Sequence, residues 1–227
     1  MKQLLCYANL RIRNSTRVAR GSYLRVDSSA KIFRCDIGIE HGDGNKIEVG
    51  KKTEIRRCKI TIEGKGNTLK IGRGCNLREL HIEVLGHNCT IEIEDGVKNT
   101  GAGKLSCQEL GTVITIGKNS LLAKGVTMLT SDGHDIYNKN GERINPPRNI
   151  IVEPHCWIGQ DAMLLKGAHI GQGSVVGARS VVTAIIPPRA IAAGHPARII
   201  KTDVSWDEKL TQHQAVSSSP KKEGNKP

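Results

Sequence analysis

His134 is the residue of this chain best suited to moving a proton. It stands in Ser131-Asp132-Gly133-His134-Asp135-Ile136, inside a polar stretch rich in Gly and Asn. Histidine titrates nearest to neutral pH, so it can serve as general base towards an alcohol. A neighbouring carboxylate can fix its tautomer and stabilise the imidazolium, and Asp132 is the preferred candidate over Asp135. The alternative is a solvated loop histidine between two acids. His155, His169 and His195 fall at turn positions and read as surface residues. The seven cysteines, at 6, 35, 58, 75, 89, 107 and 156, contain no Cys-x-x-Cys pair. That pattern predicts reduced thiols in a cytoplasmic protein, not a disulfide scaffold.

Trp157 stands out because aromatics make up only 3% of the 227 residues, with two Trp, three Tyr and one Phe. A core without aromatics must be aliphatic, which suits a narrow interior of small repeated slots. Aromatic-caged ligand sites and base-stacking RNA modules are excluded on the same ground. The charge balance is 34 Lys+Arg against 22 Asp+Glu, a net +12. The basic residues are scattered and not interleaved with aromatics, so nucleic acid is not the expected partner. Phosphorylated cofactors, acidic glycans and anionic membrane surfaces remain as anions that such a field attracts. No apolar run reaches the roughly 18 residues that a membrane-spanning helix needs. The start, MKQLLCYANLRIR, lacks the apolar length and cleavage site of a signal peptide.

The elements that must position these residues follow from a six-residue repeat. Aliphatic residues recur at Ile116, Leu122 and Met128, then at Val152, Ile158, Leu164, Ile170, Val176 and Val182. Four positions after each comes a mostly small residue, among them Ser120, Val126, Cys156, Ala162, Ala168, Ser174 and Ser180. Neither a helix nor a simple alternating strand produces strict sixes. A three-sided coil does: one short strand per face, one tight turn per corner, one aliphatic side chain inward per face. Cys156 then belongs to the core and not to nucleophilic chemistry. A looser repeat precedes it, marked by Asn45, Asn67 and Asn88 at coil corners. Asparagine tolerates the left-handed backbone there and can bond a neighbouring main chain.

The rhythm breaks over 129–151, a polar excursion of a length that is usually functional. The chain divides into an N-terminal segment 1–21, a solenoid 22–201 carrying that loop, a cap 202–215 and a disordered tail 216–227. Within the cap, 205–213 is expected to form a short helix over the end of the solenoid.

These motifs together resemble the hexapeptide-repeat, left-handed β-helix acyltransferases, closest to the branch that O-acetylates sugars and polysaccharides. The residues that carry the likeness are 131–136, Trp157-Ile158-Gly159, 176–183 and Gly194-His195-Pro196-Ala197-Arg198. The match is strong over 110–201 and loose over 40–110. The left hand comes from the resemblance alone, since parallel crossovers are right-handed in nearly all folds. The resemblance implies an all-β fold and direct acetyl transfer from acetyl-CoA to a sugar or polysaccharide hydroxyl. It implies His134 as general base, and Trp157 against the acyl donor. Trp157 could instead pack a neighbouring subunit, and both readings hold if the site lies between subunits. Acetyl-CoA contacts carry over to Gln160, Ala178, Thr183, Arg198 and Lys201, with Arg189 a further partner for phosphate. Ala184 departs from a position where the family often has Lys, which puts one phosphate contact in doubt. Lys104, Ser106 and Gln108 are candidates to touch the acceptor. A homotrimer with intersubunit sites is implied, and no metal. Amino-sugar N-acetylation, antibiotic acetylation and a non-catalytic scaffold are the competing readings. A zinc hydratase on the same helix would need a histidine pair five residues apart, and 134, 155, 169 and 195 contain none.

Overall fold

The inward residue of each hexad sets the architecture. In the computed structural model, which describes residues 14–209, every aliphatic member of the repeat from Ile116 to Val182 is buried. The pairing shows the period: Ile158 faces Val176, 18 residues on, and Leu164 faces Val182. Across the excursion, Leu122 faces Ile158, 36 residues on, so the loop leaves one coil and returns to the same register. Three parallel sheets of eight, eight and nine strands result, visited in turn by the chain; we call them faces one, two and three. Among the described residues the one antiparallel pair of strands is a terminal hairpin on face three, Ile191–Gly194 with Ala197–Lys201. Burying a continuous aliphatic column is what makes such thin coils stable together.

The earlier coils are longer because face one is longer. Its strands there run Lys59–Lys65, Leu80–His87 and Gly103–Leu110, against Met163–Leu165 later. Corners are fixed by two adjacent columns between faces one and two. Gly44, Gly66, Asn88 and Gly111 all have positive φ and form the left-handed column. Beside it, Asn45 and Asn67 are fully buried and pass hydrogen bonds up the stack: Asn67 N–H donates to Asn45 Oδ1, and Cys89 N–H donates to Asn67 Oδ1. The three asparagines are therefore not equivalent. Asn88 takes the glycine position, one residue before its expected place, because asparagine is among the few side chains that accept left-handed backbone.

The solenoid begins earlier than residue 22: Ser15–Val18 pairs with Asp36–Ile39 as the first rung of face one. Its four residues carry no hexad signal, so only the pairing reveals them. The capping helix is not formed over 205–209; residues 210–213 and the tail lie outside the described residues. Instead the chain runs back along the solenoid as a non-helical strap, with Val204 N–H donating to Arg189 O at 3.0 Å. One large aromatic, Trp206, packing on the coils outweighs the weak helical tendency of so short a segment. No helix is long and apolar enough to cross a membrane among the described residues.

Candidate functional site

The excursion over 130–149 is an ordered hairpin at the corner between faces one and two. Tyr137 and Arg143 form an antiparallel bridge, and Ile144 N–H donates to Ile136 O at 2.8 Å. Asn145, buried at the root, holds it shut: Nδ2 donates to Asp132 Oδ2 and to His134 O, each at 2.8 Å, and Oδ1 accepts from Ile136 N–H at 2.7 Å. Lys166, from the next coil, donates to Asp132 Oδ2 at 2.5 Å and to Asn145 O at 3.0 Å. Arg143 clamps Glu109 through two bonds of 2.7 and 2.9 Å and pairs with Asp135 at 2.9 Å. Bidentate charge-assisted pairs of this kind are both strong and directional. Ser131 Oγ also donates to Glu109, and Tyr137 O–H donates to Asp135 at 2.9 Å.

His134 is exposed on this scaffold, and among the described residues its ring has no hydrogen-bond partner. The expected contact with Asp132 is not made, because Lys166 and Asn145 already occupy that carboxylate. Their hydrogen bonds hold Asp132 below the usual carboxylate range. Glu109 is likewise lowered by Arg143, with burial opposing. Asp132 therefore anchors the loop that presents the histidine. Asn145, Lys166 and the Glu109–Arg143 pair were not singled out from the sequence. Their signal is weak, since each lies outside the hexad pattern or at a position where any polar residue fits.

The remaining candidates are distributed around the prism. Trp157 opens a face-three strand, 40% exposed, between Leu121 below and Val175 above. Gln160 and Ala178 stack in successive coils at the corner between faces three and one, where Arg179 N–H donates to Gln160 O at 2.7 Å. Thr183 lies at the opposite end of face one, and Arg198 and Lys201 lie on the terminal hairpin. Trp157, Gln160, Ala178 and the hairpin residues thus lie away from the corner that carries His134, while Thr183 stands on that same corner two coils further along, so one chain does not gather the candidates into one pocket. Ala178 and Thr183 are exposed and small, which leaves main chain approachable. Neither Arg198 nor Lys201 has a carboxylate partner among the described residues, so both charges are available to phosphates. Ser106 is buried beneath Gln108 and donates to Glu83, while Lys104 pairs with Glu83 at 2.9 Å. Those two are engaged by Glu83 in a polar cluster on the outer side of face one. Cys156 is a core residue: burial pushes its thiol up to about 11. Among the described residues no three His, Cys, Asp or Glu side chains are grouped to hold a metal.

Comparison with known proteins bears on the repeat and the fold. Residues 149–184 match the family model described as bacterial transferase hexapeptide (six repeats). Galactoside O-acetyltransferase of Escherichia coli K12 is 43% identical over 91 residues, 39% of this chain and 43% of that protein. Polysialic acid O-acetyltransferase of Neisseria meningitidis is 30% identical over 122 residues, 53% of this chain and 56% of that protein. The chain spans about half the length of these curated relatives. A crystal structure of the polysialic acid O-acetyltransferase OatWY superimposes with a TM-score of 0.80 at 26% identity, covering 89% of this chain and 94% of the other.

Proposed function

We propose that this chain, whose residues 149–184 match the hexapeptide model and whose fold is the left-handed β-helix of such acetyltransferases, is a hexapeptide-repeat acyltransferase that transfers an acetyl group from acetyl-CoA to a hydroxyl of a sugar or polysaccharide. His134 is the general base. Its ring nitrogen accepts the hydroxyl proton as the oxygen attacks the thioester carbonyl, the carbon–sulfur bond breaks, and the proton passes to the departing thiolate. The observation that carries this reading is the contrast within the loop. The carboxylates of Asp132, Asp135 and Glu109 are each committed to a cation or an amide, and among the described residues the His134 imidazole has no hydrogen-bond partner on this braced support. Relatives that act on galactosides and polysialic acid support a carbohydrate acceptor.

The distribution of residues around the prism supports a site completed by a second chain. His134 of one copy meets Trp157, Ala178 and Thr183 of its neighbour, with Gln160 alongside and Arg198 and Lys201 towards the phosphates. The six described cysteines are all buried free thiols, which supports a reducing, cytoplasmic setting. The test is thiol release from acetyl-CoA over a panel of sugars and capsular glycans. One acceptor should release CoA, and His134→Ala should slow that reaction by about 10²–10⁴-fold. An unchanged rate in this variant would sink the assignment.

A further inference from the structure

The sequence holds two tryptophans, and the fold brings them together across 49 positions. Trp206, on the strap, stacks on the His155 imidazole with centroids 4.5 Å apart and planes 10° from parallel. Its indole N–H donates to His155 O at 2.8 Å, and the Trp206 carbonyl lies 3.2 Å from His155 Nε2. The same indole meets Trp157 at 5.9 Å and 41°. His155 occupies the left-handed corner position two residues before Trp157. The strap therefore grips the turn from which Trp157 projects and also packs on the indole itself. Two further anchors set its path: Val204 on Arg189 at one end, and Glu208 on Lys98 at 2.6 Å at the other. Under the strap runs an open groove, lined among others by Glu153, His155, Gln172, Pro188 and Arg189.

We infer that the strap is part of the acyl-donor site, and that Trp206 is the positioning residue that fixes the orientation of Trp157. The inference rests on the reading of Trp157 as the residue that lies against the thioester. A tryptophan 40% exposed on a flat sheet has no wall of its own to hold its ring. Aromatic pairs prefer offset or tilted geometry at 4.5–7 Å, and such contacts restrict side-chain rotation. With one side of the indole against Trp206, the opposite side is left for a ligand. The ring is then ordered before the ligand arrives, which removes an entropic cost from binding. An indole at 206 serves both purposes, since its ring stacks and its N–H locks the corner carbonyl.

Having only two tryptophans makes the test direct. In Trp206→Phe and Trp206→Ala, Trp157 is the only indole, and its emission can be followed while acetyl-CoA is titrated. We expect Trp206→Ala to weaken acetyl-CoA binding about tenfold and to shift Trp157 emission to the red. Trp206→Phe, which keeps the stacked ring, should recover affinity to within about threefold of wild type. If Trp206→Ala matches wild type in affinity and Trp206→Phe in emission, the strap has no positioning role, although Trp157 can still be the donor contact. If acetyl-CoA leaves Trp157 emission unchanged in Trp206→Phe while binding normally, Trp157 does not touch the donor, and both readings fall.

Discussion

Asn145 illustrates how much of this site rests on single hydrogen-bonding side chains. One buried amide ties Asp132, His134 O and Ile136 N–H into a single knot. Replacing it by alanine removes all three bonds while leaving His134 in place. We expect Asn145→Ala to lower kcat by about 10–100-fold, since a shift of about 1 Å in a catalytic group has effects of that order. Acetyl-CoA affinity should be unchanged, because the candidate donor residues Trp157, Gln160 and Ala178 lie on other parts of the prism. Steady-state kinetics with a thiol-release readout separates the two; a loss confined to acetyl-CoA KM would contradict this role. At this scale the sequence was informative about His134 and Trp157, whose types are rare or chemically marked. It was silent about Asn145, because an asparagine in a loop full of asparagines carries no distinguishing pattern. Asp132 was visible, but its partner was not. The sequence neighbour His134 was the obvious choice, and Lys166, 34 positions on, is the residue that reaches it.

At the scale of elements, the hexad specified the later coils almost completely, because one aliphatic slot per face admits no other register. The first rung at Ser15–Val18 and the strap escaped it, since the rung adds only a half-buried Val18 to the end of the inner column and the strap lies outside it. The excursion is the element whose behaviour depends on pH. Asp132 and Glu109 have lowered native values, so their pairing stabilises the loop above the ordinary carboxylate range, about 3.9–4.3. That contribution is lost as pH falls through the lowered values, because protonation then favours the released state. The hairpin should stay anchored at about pH 5 and loosen only below about pH 4. Hydrogen exchange at the Ile136 and Ile144 amides, corrected for intrinsic rate, measures this directly. Loss of protection near neutrality would show that the carboxylate pairs are not what hold it.

Across the whole molecule the outer surface changes character along the axis. The outward column of face two reads Arg25, Glu48, Lys70 and Glu92, then Thr115, Ile151, His169 and Ile185. The charged half pairs across coils, with Lys70 and Glu92 at 2.7 Å, and suits water. The later half exposes Ile151 and Ile185 on face two, the latter at 69%, together with Trp157 on face three and Met163 on face one. Exposed apolar faces in a monomer mark interfaces. This is the half that carries the loop and the donor candidates, so the proposed intersubunit site predicts that self-association is needed for activity. Light scattering should give three chains per particle, and Ile185→Lys should shift the population towards monomer. A wild-type monomer would contradict the intersubunit site.

The strap has a thermodynamic effect separate from any ligand. A stack of coils behaves as a nearest-neighbour chain, in which the terminal unit opens on its own at little cost. Here the segment after the last coil reaches back to Lys98, 110 positions from Glu208, and bridges every rung of face three between them. The Lys98–Glu208 pair is exposed and contributes little by itself. Trp206 supplies most of the grip. The open end of the solenoid is thereby stapled to its middle. End-fraying and loss of the strap become one event, and the coils from Lys98 onward open as a cooperative block.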